Sequence, residues 1–217
     1  MAVPRMSPAS RRSAIIDATL SVVMRKGFAS TTVRDVAAEL GCSSGLIHHY
    51  FTSMDDVLAE AFDLAAGRDL EITEAAVSAV AGPIDKLEEF FSSYTRLDED
   101  WAYQLWLDAW AEARRRPALG AISRQLNVAW QQVLVRILRD GIRTGTFHCA
   151  DPDGSAWRIL SALDGLSLQS NAHGQLIDRN TIIDWSFIIA ESELGLAPNS
   201  LPRPLPAGST ATNPAAG

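Results

Sequence analysis

The sequence predicts an all-α protein of about nine helices, and three observations support this fold class. Apolar residues recur at three- and four-residue steps over most of the chain, which is the period of an amphipathic helix. Runs that alternate apolar and polar residues, which indicate β-strands, are nearly absent. Glycine and proline fall between the periodic segments, where helices end and begin.

The N-terminal part is predicted to form three short helices in succession. The first is expected to end at Gly27, a natural C-terminal stop. The second begins at Thr32, whose hydroxyl can cap the helix, and it ends at Gly41. The third is expected to start with a cap from Ser43 or Ser44.

Longer helices are predicted for the rest of the chain. A cap at Thr52 or Ser53 starts the fourth helix, which runs toward Val80, and Pro83 fits the first position of the fifth. The remaining helices are expected near residues 99–115, 118–144, 153–172 and 178–194. From Ala197 to the end the chain is rich in Pro, Ala and small polar residues, and it is predicted to be a disordered tail.

Cysteine usage and hydropathy indicate a cytoplasmic protein. Cys42 and Cys149 are far apart in sequence and form no disulfide framework, which suits a reducing compartment. The N-terminus lacks the apolar core of a secretion signal. No run approaches the roughly 18 apolar residues that a membrane-spanning helix needs. We therefore expect no membrane association, and nothing in the sequence predicts a cofactor.

Charge is distributed unevenly along the chain. Residues 1–50 carry six Lys or Arg against three acidic residues, whereas the whole chain has a formal net charge of −7. A small basic head on an acidic body permits binding of a polyanion through the head alone. The alternative is that this excess of positive charge has no functional meaning.

The second and third helices have the spacing of a helix-turn-helix. Gly41 supplies the residue that tolerates a positive φ in the turn, and Ala37 is small enough for the two helices to cross closely. Ile47 and Phe51 lie one turn apart and are expected to pack inward. The outer side of the third helix then carries small polar and imidazole side chains: Ser44, Gly45, His48, His49 and Thr52. Such side chains reach base edges or phosphates, and Leu46 could contact a thymine methyl.

Metal binding and catalysis are the rival interpretations of the adjacent histidines. Neighbouring side chains on a helix point about 100° apart, so His48 and His49 rarely share one metal. The chain has no His-Glu-x-x-His or Cys-x-x-Cys motif. No nucleophile, base and acid grouping is legible either, so we predict no metal and no enzyme activity. Contact with DNA is the preferred interpretation.

Two stretches of the sequence resemble a known family. TTVRDVAAELGCSSGLIHHYFTSMDDVLAEAF resembles the N-terminal domain of the TetR family of bacterial transcription regulators. The Thr-Thr start, the Ala-x-x-x-Gly turn and the Ser-x-Gly recognition helix occur in the usual order over residues 10–65. The body resembles the betaine-responsive repressor group through LWLDAWAEARRRPAL, DGIRTGTF and LDGLSLQ, a looser match that extends the resemblance to about residue 195.

The resemblance implies a homodimer that binds a palindromic DNA operator and responds to a small molecule, with repression as the expected effect. It implies a DNA-binding domain at 1–53, a ligand-binding and dimerisation domain at 54–196, and a tail at 197–217. Ser44, Gly45, Leu46 and His48 would face bases, together with Arg34 on the second helix. Thr32, His49 and Tyr50 would hold phosphates, and Ser43 is a further candidate for DNA binding.

The sequence departs from the family pattern at two positions. Many relatives have lysine where this chain has Thr52 and Met54, at the point where the fourth helix meets the phosphate backbone. Each missing phosphate contact should weaken DNA binding and flatten its salt dependence. An alternative function therefore stays open, namely a small-molecule-binding helical protein whose DNA binding is weak or lost.

The body offers candidates for an effector pocket and for a dimer interface. Aromatic side chains at helical spacing could line the pocket, with two polar anchors, or they could form ordinary core. The pocket candidates are Phe91, Tyr94, Tyr103, Trp106, Trp110, Trp130, Leu134, Asn171 and His173. The last two helices are apolar around much of their circumference, which requires cover on several sides, either from a partner's helices or within one chain. The dimerisation candidates are Trp157, Leu160, Ser161, Asp164, Gly165, Leu168, Ile182, Trp185 and Ile189.

Overall fold

The structure is a computed structural model that describes residues 7–93, 100–173 and 176–203. Nine α-helices and no strand occur in this part of the chain, so the predicted all-α fold is confirmed. In chain order the helices α1 to α9 are Pro8–Ser30, Val33–Leu40, Ser44–Tyr50, Met54–Ala79, Pro83–Ser93, Asp100–Glu112, Pro117–Arg143, Pro152–His173 and Arg179–Glu193. Their ends agree with the predicted boundaries to within a few residues, except at α1.

Helix α1 extends past the glycine that was expected to end it. Gly27 has a φ of 75° and a ψ of 164°, which interrupts the helix, but a further turn follows and reaches Ser30. The hydroxyl of Thr31 donates to the Gly27 carbonyl at 2.7 Å and stabilises this turn. Phe28 lies inside the turn, is fully buried, and meets the ring of Phe62 edge to face at 5.9 Å. Burial of that ring explains why the chain turns here instead of leaving the core.

One compact unit consists of the described parts of residues 1–76 and 97–133. Helices α1, α2 and α3 and the start of α4 form what we call the head. They enclose a small apolar core that includes Ile15, Val36, Ile47, Phe51 and Val57. Helix α6 packs against α1 within the same unit. The unit is therefore larger than the domain predicted at 1–53, and that boundary stays a prediction.

The second compact unit consists of the described parts of residues 77–96 and 134–217. Helices α8 and α9 pack along each other in this unit. On α5, the ring of Phe91 lies 4.7 Å from that of Phe187 on α9. After α7, Gly145 adopts a φ of 73° and turns the chain so that the ring of Phe147 occupies the space where a Cβ of Gly141 would lie. A glycine is therefore required at position 141.

The first residues of the predicted disordered tail are ordered, which corrects the prediction. The buried carboxylate of Glu191 accepts hydrogen bonds from the backbone N–H groups of Asn199 and Leu201, both at 3.0 Å. Leu201 is itself buried, and Arg203 donates to Glu191 at 2.8 Å. Composition alone indicated disorder, whereas one buried carboxylate satisfies several donors of this segment at once. Residues 204–217 lie outside the described part of the chain.

Within the described ranges, none of the helices combines the length and apolar character that crossing a membrane requires.

Candidate nucleic-acid interface

Helix α2 begins with a reciprocal cap between Thr32 and Asp35. The Asp35 N–H donates to the Thr32 hydroxyl at 3.3 Å, and the Asp35 carboxylate accepts from the Thr32 N–H at 3.0 Å. The ammonium of Lys26 donates to the same carboxylate at 2.6 Å. The hydrogen bond from Lys26, supported by those from Thr32, lowers the pKa of Asp35 to about 2. Asp35 therefore stays ionised at neutral pH and holds the start of α2 in place.

The turn between α2 and α3 has the geometry that the sequence predicts. Gly41 adopts a φ of 67° and a ψ of 37°, the left-handed conformation that glycine tolerates best. The N–H of Cys42 donates to the Ala37 carbonyl at 2.9 Å, which satisfies a carbonyl at the end of α2. Ala37 is buried, as its small size predicted, and Cys42 packs partly against the core of the head.

Helix α3 has one buried face and one open face. Ile47 is 1% exposed and Phe51 5% exposed, so both pack inward as predicted. Gly45, His48 and His49 are exposed, whereas Ser44 and Leu46 are partly exposed. The four residues of α3 that are proposed to face bases are therefore all at least partly accessible to solvent.

Ser43 occupies the N-cap position of α3 but makes no capping hydrogen bond with its side chain. Its exposed hydroxyl makes no hydrogen bond to the helix, so a phosphate could bind to it without breaking an existing bond. At the other end of α3, the rings of His49 and Tyr50 meet edge to face at 5.2 Å. This contact limits the rotation of two side chains proposed to hold phosphates.

Three of the five Lys and Arg residues that the structure describes within residues 7–50 are paired with nearby carboxylates. Arg12 forms a bidentate pair with Glu60, Arg25 lies 2.5 Å from Glu39, and Lys26 is paired with Asp35. Arg11 and Arg34 form no ion pair with any residue in the described ranges, and Arg34 is exposed beside Thr32 on α2. Fewer unpaired cations are therefore available to phosphates than the number of Lys and Arg residues indicates.

The two positions where relatives often have lysine differ in exposure. Thr52 is exposed between α3 and α4, whereas Met54 is partly buried against the core of the head. Ser53, rather than Thr52, caps α4, because its hydroxyl accepts from the Asp56 N–H at 3.1 Å. Thr52 is therefore free of a capping role, and a longer side chain could replace it.

The effector-pocket candidates divide between the two compact units. In the first unit, Trp106 contacts Phe62 at 4.9 Å and Trp110 at 5.7 Å, so the two tryptophans share one face of α6 as predicted. Tyr103 is partly exposed and Trp130 is buried in the same unit.

The second unit contains the other described pocket candidates. Phe91 and Leu134 are buried there. Asn171 and His173 are exposed at the end of α8, where the Asn171 amide donates to the Ser167 carbonyl at 3.0 Å. Tyr94 lies outside the described residues.

An exposed apolar face covers parts of α8 and α9. Its members enclose a shallow groove of about 550 Å³, and we call this set the α8–α9 face: Ser161, Ala162, Gly165, Leu166, Gln169, Trp185, Ile188 and Ile189. Four of the predicted dimerisation residues belong to it, and the others are distributed around the helices. Leu160 and Ile182 are 1% and 7% exposed, so they are part of the core of this unit and do not reach the face.

The sequence prediction missed four members of that face, of which Leu166 and Ile188 are the large apolar ones. Ile188 is three residues after Trp185 and therefore lies on the same side of α9, so helical spacing could have identified it. The signal was hidden because both helices are apolar around most of their circumference.

Comparison with known proteins connects these features to a family. Residues 15–61 match the family described as bacterial regulatory proteins, tetR family, and residues 83–190 match the BetI-type transcriptional repressor C-terminal domain. A transcriptional regulator named BetI from Paraburkholderia xenovorans is 31% identical over 176 residues, which are 77% of this chain and 85% of the relative.

Solved structures show the same fold. A transcriptional regulator structure from Pseudomonas aeruginosa PAO1 has 26% identity and a TM-score of 0.76, with coverage of 91% of this chain and 97% of that chain. A regulator from Saccharomonospora viridis, solved in complex with choline, has 23% identity and a TM-score of 0.73 and covers 82% and 94%.

Proposed function

This chain belongs to the TetR family of bacterial transcriptional regulators, and from that premise we propose that it binds a palindromic DNA operator as a homodimer in the cytoplasm. In this proposal the protein represses transcription until a small molecule releases it from the operator. One observation carries the proposal: Gly41 turns α3 so that Ile47 is buried while His48 and His49 stay exposed.

The proposed reading surface consists of the open side of α3, Arg34 on α2 and the residues that precede the two helices, Thr32 and Ser43. Ser44, Gly45, Leu46 and His48 contact base edges in the major groove, and Arg34 assists them. Phosphates are held by exposed groups at the margins: Thr32, Ser43, His49 and Tyr50. The capping of α2 by Asp35 supports this arrangement, because it fixes the helix that orients α3.

A selection experiment followed by a double substitution tests the reading surface. Binding-site selection from random duplexes is expected to return a palindrome that the wild-type protein binds in a gel shift. Replacing Ser44 and His48 by Ala removes two base contacts, each worth about 1–3 kcal/mol of discrimination, so specific binding should fall at least about 30-fold. Unchanged affinity of the double variant for the selected site would show that another surface reads the DNA.

Two control measurements accompany the double substitution. The variant should keep the wild-type helical signal and the wild-type oligomeric state, because both side chains point away from the core of the head. Replacing Ser92, which lies on α5 in the second compact unit, by Ala provides a matched serine change that should leave DNA binding intact.

Effector binding is proposed for the aromatic side chains of the body. The rings of Phe62, Trp106 and Trp110 contact one another in series, and such clusters bind apolar or cationic molecules. A thermal-shift screen that includes choline, the ligand of the Saccharomonospora protein, tests this part. A ligand that raises the melting temperature should also weaken binding to the selected operator, and its effect on melting should decrease in Trp106→Ala.

A small-molecule-binding protein with weak or lost DNA binding is the second candidate. The pairing of Arg12, Arg25 and Lys26 with carboxylates favours it, because these cations add little net charge at a phosphate. The substitution Thr52→Lys distinguishes the two functions. If the wild-type protein selects no DNA sequence and Thr52→Lys restores a selected site, the second candidate is correct.

A further inference from the structure

Helix α7 begins against the first turn of α4. The Asp55 carboxylate accepts hydrogen bonds from the backbone N–H groups of Ala118, at 2.8 Å, and Leu119, at 3.3 Å. Pro117, the first residue of α7, has no N–H, so these are the first two donors that the helix offers. A carboxylate at this position also opposes the positive end of the helix dipole. Asp55 therefore caps a helix that begins more than 60 residues later in the chain.

A second contact holds the same region to the end of α1. The Arg116 guanidinium donates to the Phe28 carbonyl at 3.3 Å and lies 3.4 Å from the carboxylate of Glu112. Residues 112–119, which we call the α6–α7 corner, are therefore attached at two points of the head. One point is the end of α1, directly before α2, and the other is the start of α4, directly after α3.

The link between Asp55 and the reading helix is short and rigid. Four residues lie between Tyr50, the last residue of α3, and Asp55. Within that span Phe51 is buried in the core of the head, and the Ser53 hydroxyl caps α4 through the Asp56 N–H. Val57, two residues after Asp55, is fully buried. A change in the position of α7 at Asp55 is therefore transmitted to α3 and is not absorbed by a flexible loop.

We propose that Asp55 is a positioning residue for DNA recognition: by capping α7 it sets the angle of α3 relative to the α6–α7 corner. Arg116 supports the same connection through its contact with the end of α1. We call these contacts of Asp55 and Arg116 the joint. The inference rests on the proposed function, because this angle affects recognition only when two heads bind one palindrome. Helix α6, which carries Trp106 and Trp110, ends at the corner, so an effector at these rings would act on α3 through the same joint.

The test compares the operator with variants in which the distance between half-sites is one base pair shorter or longer. In the wild-type protein the rigid joint should give a strong preference for the selected spacing. Asp55→Ala removes both hydrogen bonds, and we expect its spacing preference to decrease by up to about 5-fold, the factor reached when the whole free energy of one helix cap serves to hold the angle of α3. Asp55→Asn keeps one acceptor oxygen and should retain part of the preference.

The ratio between the affinity for the selected spacing and the affinity for an altered spacing distinguishes a positioning role from a simple loss of stability. A variant that is partly unfolded binds every operator more weakly by the same factor, so its ratio between spacings does not change. Asp56→Ala is the matched control, because the Asp56 carboxylate bonds within its own turn, to Ser53, and should keep the wild-type ratio. Arg116→Ala should lower the ratio, whereas Arg115→Ala, whose side chain is 76% exposed, should not.

Each outcome decides one question. If the wild-type protein shows no spacing preference on any selected palindrome, the proposed function fails. If the wild-type protein prefers one spacing and Asp55→Ala keeps the full preference, the positioning role is overturned. Where circular dichroism shows that Asp55→Ala is unfolded, Asp55→Asn and Arg116→Ala decide the question, and a wild-type ratio in both overturns the proposal.

Discussion

Glu191 and Arg203 form an ion pair that holds residues beyond the last helix against α9. The Arg203 guanidinium donates to the Glu191 carboxylate at 2.8 Å and lies 5.0 Å from the centre of the Phe187 ring. The carboxylate is only 4% exposed. Burial by itself would raise the pKa of Glu191, but hydrogen bonds from Arg203, Leu201 and Asn199 lower it to about 2. The ionised form is therefore part of the folded structure.

This pair predicts a specific loss of stability in acid. Because the pKa of Glu191 is lower in the folded state than its usual value of 4.5, the stabilisation is complete above that value and disappears as the pH falls toward 2. Glu191→Gln should lose on the order of 2 kcal/mol of unfolding free energy at pH 7 and much less at pH 3. Urea unfolding followed by circular dichroism at both pH values measures the difference.

An exposed ion pair provides the control for that experiment. Arg139 and Asp153 lie 2.7 Å apart but are 60% and 50% exposed. Arg139→Gln should change stability by less than about 1 kcal/mol at either pH, because solvent screens exposed pairs. A pH-independent effect of Glu191→Gln would mean that the carboxylate acts through packing and not through its charge.

Replacing Gly41 by Ala should destabilise the protein through the backbone conformation alone. The φ of Gly41 is 67°, and a Cβ at this position would have no neighbour within 4 Å. Gly41→Ala should therefore cost about 1 kcal/mol or more, since only the left-handed conformation is penalised. Gly45→Ala is the matched control, because Gly45 lies in α3 with ordinary dihedral angles and should gain about 0.5–1 kcal/mol. Equal effects of the two substitutions on urea unfolding would contradict the assigned turn geometry.

Arg34 and Arg25 should contribute differently to the salt dependence of DNA binding. Arg34 is exposed without an ion pair in the described part of the chain, whereas Arg25 is paired with Glu39. Arg34→Ala should reduce the slope of log K against log salt by about 0.9 for each phosphate that the arginine no longer neutralises. Arg25→Ala should change the slope much less, because Glu39 already neutralises this cation. Fluorescence anisotropy at several salt concentrations measures both slopes, and a larger change for Arg25→Ala would refute the charge assignment.

The α8–α9 face predicts where the proposed homodimer can be disrupted. Ile188 is 54% exposed on that face, and burial of this side chain by a partner would stabilise the dimer. A buried, unpaired carboxylate is costly, so Ile188→Glu should convert the dimer into a monomer in analytical ultracentrifugation. Ile72→Glu places the same charge at a 44% exposed position on α4 and should leave the dimer intact. If the Ile188→Glu variant remained a dimer, the interface would have to lie on another surface.

The ends of most helices could be read from the sequence because local chemistry decides them. Thr32 caps α2 with the support of Asp35, Gly41 takes the left-handed conformation, and Pro83 occupies the first position of α5. Each depends on a few neighbouring atoms, so no distant part of the chain is needed to predict it. The same locality explains why the buried and exposed sides of α3 were predicted from the spacing of Ile47 and Phe51.

Only the tertiary structure decided which distant groups meet. No local pattern indicates that Asp55 caps α7, that Arg12 pairs with Glu60, or that Glu191 orders the first residues of the tail. Hydrophobic periodicity also failed on α8 and α9, where Leu160 is buried and Ile188 is exposed, because helices that are apolar on all sides do not reveal which side faces the core. The sequence alone therefore determined the helices and the buried and exposed sides of α3, because these follow from short-range chemistry. The joints between helices were decided by the fold, because it brings charges and helix ends together from distant positions in the chain.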